Sequence, residues 1–493
     1  MRTAPLAMSG DDFRLIGHEL VDRIAEHLAT LPERPVTRDE PPSEVRKALG
    51  SDEPLPDAGI DPGLALTEAT RLLFDHSLFN GHPRFLGYIT SSPAPLGMLG
   101  DFLAAAANQN MGAWKLSPMA TEIEAQTVRW IAELIGFPAD CGGLLVSGGN
   151  MANFVCFLAA RTAKASSDVR KAGLRGAPDL AVYASTETHT WIQKATDLFG
   201  LGTDAIRWIP VDDRQQMIPS ALRRQIEEDR QRGARPFLVV GTAGSVSTGA
   251  VDPLPQLAEI CREFDLWFHV DGAYGGLAAQ VPGAPDALRG LSQADSVAVD
   301  PHKWLYAPLE AGCVLVRRAG DLRNTFSYRP AYYHFDDQVV NYFDYGPQNS
   351  RGFRALKVWL GLRQAGRSGY LKMMTDDMML ARHLHKLMTG HSDFQALSQS
   401  LSISTFRYVP GDLRSQLGSA GIETYLNQLN QDLLTRVEKS GEAFLSNAII
   451  GNVFALRACI VNFNTSIEDV EALPGLLARL GKEADQTLRT VRT

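Results

Sequence analysis

Leu266-Trp-Phe-His-Val-Asp271 is a bulky apolar run that ends in a carboxylate. Ser296-Val-Ala-Val-Asp-Pro-His-Lys303-Trp304 is a second apolar run, and an amine follows it. Short runs that are this uniformly apolar and β-branched read as strands covered on both faces, as in a parallel sheet. Working outward, the same pattern predicts strands at 143–146, 180–184, 206–210, 237–241, 266–270, 296–299 and 313–317. Between them, apolar residues at helical spacing predict helices over 119–135, 151–165, 191–198, 220–230 and 255–264. Such alternation makes an α/β fold, a central mostly parallel seven-stranded sheet with helices on both faces. Ligands of such sheets bind at the carboxyl ends of the strands. Asp271, Lys303 and the Gly148-Gly149 turn all fall there.

The flanks read differently. Residues 11–30 place apolar side chains at helical spacing after an Asp-Asp start. Residues 31–60, rich in Pro, Glu and Asp, read as an extended connector with no packed element, and a helix follows near 64–74. Beyond Gly346, helices are predicted at 353–363 and 370–387, then a final α/β segment over 400–493. The expected division is an N-terminal helical and extended segment (1–90), a large α/β domain (91–385) and a small C-terminal α/β domain (386–493). A chain of 493 residues is too long for a single small core.

Composition removes several classes. A net charge of −8 argues against nucleic acid or an anionic membrane as partner, since both require a basic surface. The five cysteines, at 141, 156, 261, 313 and 459, show no CxxC pair and no metal-ligand spacing. They read as reduced, buried thiols of a cytoplasmic protein. No apolar run is long enough to span a membrane, and no basic-then-apolar secretory signal opens the chain.

The two strand-end residues suggest a chemistry. A desolvated lysine can condense with the aldehyde of pyridoxal phosphate (PLP), and an aspartate can hold the pyridine nitrogen of the same cofactor protonated. Ala273 is small enough to pack on a ring face. Val146-Ser147-Gly148-Gly149-Asn150 runs from a strand through a glycine turn into a helix, where exposed amides attract phosphate. Each piece has an ordinary reading too. Asp271 can cap a turn, Lys303 can face solvent, His189 can cap a helix start, and a Gly-Gly turn can be only a turn. Their order on successive strand ends is what favours PLP.

His-Val-Asp-Gly-Ala-Tyr-Gly-Gly276 and Ala-Asp-Ser-Val-Ala-Val-Asp-Pro-His-Lys-Trp304 resemble the group II PLP-dependent amino-acid decarboxylases, which include aromatic-amino-acid, histidine and glutamate decarboxylases. His82-Pro-Arg-Phe-Leu-Gly-Tyr88, Gly241-Thr-Ala-Gly-Ser-Val-Ser-Thr-Gly-Ala250 and Phe353-Arg-Ala-Leu-Lys-Val-Trp359 fit the same pattern, so the resemblance spans most of the chain. It implies the PLP-dependent transferase fold of type I. It makes Lys303 the cofactor lysine, Asp271 the pyridinium partner and His189 the residue stacked on the ring. Gly149 and Asn150, helped by His302, would hold the phosphate, while Thr242 and Ala273 line the cofactor. Tyr88, Ser91 and Trp114 would border the substrate. Ser327-Tyr-Arg-Pro-Ala-Tyr332-Tyr333-His334 resembles the family's catalytic loop, whose proton-donating phenol maps to Tyr332, with Tyr333 as the fallback. The chain departs from the family where members often carry Ser or Thr and this one has Gly149 and Asn150, and where Gly352 replaces an arginine.

The resemblance implies an enzyme, a PLP-dependent carboxy-lyase that turns an L-amino acid into its amine and CO2. Tyr88, Ile89, Met111 and Trp114 favour an aromatic amino acid as the small-molecule substrate. Alternatives are an acidic or diamino acid (glutamate, aspartate, 2,4-diaminobutyrate), an aldehyde-forming decarboxylase or aminotransferase on the same scaffold, and a non-enzymatic PLP-binding relative. The N-terminal segment lacks a core of its own, and the resemblance implies a homodimer with active sites at the interface.

Overall fold

The computed structural model describes residues 4–165, 168–176, 179–329 and 338–492. One sheet contains β1 (Gly142–Val146), β2 (Leu180–Ser185), β3 (Ile206–Ile209), β4 (Arg235–Thr242), β5 (Trp267–Asp271), β6 (Ser296–Val299) and β7 (Gly312–Val316). Their spatial order is β1-β7-β6-β5-β4-β2-β3. Neighbours from β6 through β3 are parallel, and β7 runs antiparallel to both β1 and β6. The mostly parallel seven-stranded sheet read from the sequence is therefore the observed one.

Every residue of β1, β2, β5, β6 and β7 is buried. Side chains alternate along each strand, so the sheet feeds two cores. Leu145, Tyr183, Val239, Phe268, Val297 and Leu315 pack on one side, with helices Pro118–Ile135 and Leu254–Glu263. Leu144, Val182, Val240, Trp267, Ala298 and Val314 pack on the other, with helices Gly149–Lys164 and Trp191–Leu198. This double coverage explains the unbroken apolar runs.

A second, antiparallel sheet contains β8 (Phe394–Ser400), β9 (Ile403–Tyr408), β10 (Ser446–Ile450) and β11 (Val453–Cys459), in the order β10-β11-β9-β8. Helices Ala420–Ser440 and Ile467–Arg492 cover it, with Leu426, Leu429, Leu433, Leu473 and Leu477 in its core. The two helices predicted after Gly346 form the element Ala355–Gly390, bent at Gly366, whose φ of 63° and ψ of 175° interrupt it.

Two expectations need correction. Residues 31–60 are not featureless. Pro42–Leu49 is a helix that starts on a proline and ends at Gly50 in the left-handed region. Val36 is buried, and it bonds through its backbone to Gly441 and Phe79. The sequence reading also assigned no helix to Pro95–Ala107. That segment is apolar almost throughout and so lacks the polar stripe by which a surface helix is recognised.

A buried ion pair ties the sheet to its flank. Arg351 donates to Glu124 at 2.5 and 3.2 Å, and both side chains are almost wholly buried. Glu124 also accepts from the Leu145 amide at 2.8 Å, and Arg351 donates to the Leu145 carbonyl at 2.7 Å. Removing one partner of such a pair strands the other charge, so Glu124→Gln should lower the unfolding free energy by about 3–5 kcal/mol in urea titrations. A loss below about 1 kcal/mol would show that water compensates Arg351.

Candidate active site

At the carboxyl ends of the parallel strands lies a cavity of about 400 Å³. Its walls include Gly148, Gly149, Asn150, His189, Thr242, Asp271, Ala273, His302 and Lys303. All eight residues that the sequence reading assigned to the cofactor line it, and Gly148 belongs to the same turn as Gly149. Parallel pairing sets Asp271 at the end of β5 opposite Ala298 of β6. Lys303 follows in the single helical turn Pro301–Trp304.

Lys303 Nζ lies 3.1 Å from Oδ2 of Asp300, which is buried. The sequence reading missed Asp300, although its spacing of three residues from Lys303 is the spacing at which side chains meet across a helical turn. Asp300 Oδ1 has no hydrogen-bond partner among the described residues. A Cβ on Gly149 would lie 2.7 Å from Asp300 Oδ2 and 3.3 Å from the Ala273 Cβ. Gly148 has φ 101°, a conformation that favours glycine, and a Cβ on Gly312 would lie 2.6 Å from its backbone. The first amides of helix Gly149–Lys164 have no partner within the helix, so the glycine turn presents an anion site.

Asp271 is buried beneath this cavity. Its Oδ2 accepts the Trp191 indole N–H at 2.7 Å, and its Oδ1 accepts the Ala273 amide at 3.2 Å. Among the described residues it has no ion-pair partner, so the nearest compensation is neutral. Trp191 also escaped the sequence reading, because a tryptophan at a helix start reads as core.

His189 Nδ1 accepts the Trp191 amide at 3.3 Å, which leaves the ring hydrogen of a neutral imidazole on Nε2. Burial holds His189 below the usual histidine range. Burial also lowers His302, whose Nδ1 lies 2.7 Å from the Ala311 carbonyl. Thr242 closes β4, with its amide on Asp252 at 2.8 Å.

The proposed substrate positions divide. Ser91 is buried, donates to the His302 carbonyl at 2.8 Å and lines a second cavity of about 490 Å³. Tyr88 is exposed beside Phe444, and the Trp114 indole is held by Glu122 at 2.8 Å. Neither lines either of these cavities, because each ring is drawn to a partner elsewhere. Ile89 does line the first. Tyr332 and Tyr333 lie outside the described residues.

The residues fit PLP. A lysine amine, a buried carboxylate without a counter-charge, a small residue at Ala273 and a glycine cradle with free amides surround one cavity. Comparison with known proteins agrees. Residues 52–409 match the pyridoxal-dependent decarboxylase conserved domain. The aromatic-L-amino-acid decarboxylase of Bacillus atrophaeus is 33% identical over 483 residues, covering 97% of each chain. Phenylacetaldehyde synthase of Petunia hybrida is 30% identical over 462 residues, covering 91% of this chain and 90% of its own. Among solved structures, Oryza sativa TDC with PLP and tryptamine superposes with a TM-score of 0.89 at 26% identity, covering 98% of this chain and 99% of that one.

Beneath Asp271, His269 bonds Ser296 at 2.9 Å and Asn153 at 2.8 Å, and burial lowers it to about 4. A histidine lowered from 6.5 resists protonation only while folded. Its contribution to stability is therefore complete above pH 6.5 and is lost as pH falls toward 4. Urea titrations should show a loss on the order of 3 kcal/mol across that window from this group, flattened in His269→Gln. Identical pH slopes in the two proteins would remove His269 as the source.

Proposed function

This chain belongs to the pyridoxal-dependent decarboxylase family, and we propose that it converts an aromatic L-amino acid to the corresponding amine and CO2. It is a PLP-dependent carboxy-lyase. The observation that carries the aromatic reading is the second cavity. Leu28, Leu31, Phe74, Leu78, Phe79 and Met98 wall it, and it shares His302 and Leu309 with the cofactor cavity. An apolar side chain bound there gains from leaving water. A second carboxylate would meet Glu187 and Glu310 in the cofactor cavity. Of the cations that could oppose it, Arg84 is engaged with Asp469 at 3.0 Å and Arg329 with Asp344 at 2.5 Å.

Bound PLP supplies the sink for the electrons left by departing CO2. Lys303 would hold the cofactor through Nζ and give way to the substrate amine. Asp271 would keep a proton on the pyridine nitrogen. His189, on the cavity wall, would pack on the ring, and its neutral imidazole would put no charge against it. Gly149 and Asn150 bind the phosphate through backbone amides beside His302. Tyr332, or Tyr333, returns a proton to the substrate α-carbon. Water exclusion around the reacting carbon falls to Leu309 and Ile89.

Incubating PLP-loaded protein with tyrosine, tryptophan, phenylalanine, DOPA, glutamate and 2,4-diaminobutyrate tests this by mass spectrometry. An aromatic amine lighter than its substrate by CO2 is expected, and Lys303→Ala should abolish it. An amine from glutamate or diaminobutyrate alone overturns the substrate reading. Aldehyde and ammonia, formed at the expense of oxygen, would reassign the reaction.

The assembly proposed is a homodimer. Phe13 and Phe102 stack at 6.3 Å, yet both stay exposed, as do Leu99, Leu103, Leu116 and Met119. Apolar groups gathered on one surface call for a partner, and a second copy presents the same surface. We assign Tyr88, Trp114 and the loop of Tyr332 to the interface. All five cysteines are free, which suits the cytoplasm, and no helix among the described residues is long and apolar enough to cross a membrane. Light scattering should give twice the chain mass, and Phe102→Asp should shift it toward the monomer. An active wild-type monomer would exclude the dimer.

A further inference from the structure

We propose that Trp191 is a positioning residue whose indole N–H fixes the plane of the Asp271 carboxylate toward the cofactor nitrogen. The inference rests on the reading of Asp271 given above.

A carboxylate turns about its last single bond unless each oxygen is held. Trp191 Nε1 holds Oδ2 at 2.7 Å, and the Ala273 amide holds Oδ1 at 3.2 Å. These donors come from different elements and engage different oxygens, so together they set the plane. The indole contact is the shorter of the two. A hydrogen bond to a charged acceptor is stronger than a neutral one, and no cation among the described residues shares the load.

The indole is itself immobilised. Trp191 is wholly buried at the first position of helix Trp191–Leu198. Its ring meets His269 edge-on, with centroids 5.7 Å apart and planes at 89°. His269 is clamped on both nitrogens, by Ser296 and Asn153. A rigid chain therefore runs from β6 through β5 to the helix start and ends at Asp271 Oδ2. The Trp191 amide also reaches His189 Nδ1 at 3.3 Å. One residue thus orients both the carboxylate beneath the pyridine nitrogen and the imidazole beside the ring.

Without the N–H, Oδ2 has no donor, and the carboxylate can turn away from the pyridine nitrogen. The ring then holds its proton less well and draws electrons less strongly, while the cavity for the substrate side chain is untouched. The loss should therefore fall on kcat and on the state of the cofactor, not on KM.

The test uses PLP-loaded full-length protein with Trp191→Phe, which keeps an aromatic core residue and deletes the donor. If that variant folds poorly, a benzothienyl side chain placed at 191 by nonsense suppression replaces the N–H with sulfur at nearly constant shape. Loss of a hydrogen bond to a charged group should lower kcat about 10- to 100-fold, with KM within about twofold. It should also shift the visible absorption band of the bound cofactor and raise the PLP dissociation constant measured by fluorescence. In an Asp271→Asn background, the same change should cost less than about twofold. A role in packing alone would lower the melting temperature with band, dissociation constant and kcat unchanged, and that result overturns the inference. Wild-type turnover in Asp271→Asn would instead sink the reading of Asp271. Loss in Asp271→Asn with none in Trp191→Phe would sink the role of Trp191 alone.

Discussion

A carboxylate buried without a cation is the constraint around which this site is built. Asp271 sits below the surface at the end of a strand made of Trp, Phe, His and Val, and among the described residues only neutral donors touch it. Burying such a charge is costly, and a neutral donor recovers only part of the loss. Such an arrangement calls for a positive partner, and the protonated pyridine of the cofactor would supply one. The histidines nearby do not. Burial lowers His189, His302 and His269 alike, so they surround the site as neutral rings.

Topology brings the remaining groups within reach. β6 pairs parallel with β5, so the turn carrying Asp300 and Lys303 leaves the sheet on the same edge as Asp271. β7 then returns antiparallel between β6 and β1. Its first residue, Gly312, lies so close to Gly148 that a Cβ on Gly312 would come within 2.6 Å of the Gly148 backbone. The anion-binding turn, distant in sequence, is thereby pressed against the lysine turn. The Glu124–Arg351 pair holds the Leu145 amide and carbonyl on the strand that leads into that turn.

How legible this was in the sequence follows from the range of the interactions. Strands covered on both faces are apolar at nearly every position, so β1, β2, β5, β6 and β7 could be read as runs, and the residues at their ends followed. Asp271, Lys303, Gly149 and Asn150 needed only their place after a strand. Trp191 was not legible, because its partner lies 80 residues away and a tryptophan looks the same whether its N–H is used or idle. Asp300 was visible in the quoted motif, one residue past the predicted strand, but was given no role. Helix Pro95–Ala107 was hidden by a uniformly apolar composition, and Val36 by an acidic, proline-rich neighbourhood. Tyr88 and Trp114 show the limit of position alone. Each was singled out by its place in a motif, and its ring turns to Phe444 or Glu122 and away from both cavities.

The architecture also separates two tasks that share a wall. Groups for bond breaking come from strand ends of the large sheet, where packing on both faces leaves little freedom. Groups around the second cavity come largely from the N-terminal segment, from Ile24, Leu28, Leu31, Phe74 and Phe79. That segment packs on the large sheet's domain without belonging to its cores. None of these side chains lines the cavity of Asp271 and Lys303, so on the proposed reading the substrate cavity could vary while the cofactor site stayed fixed. His302 and Leu309, common to both cavities, are where the two tasks are coupled. If the second cavity takes the substrate side chain as proposed, a change at Leu309 would reach both cavities, whereas a change at Phe74 would reach the second alone.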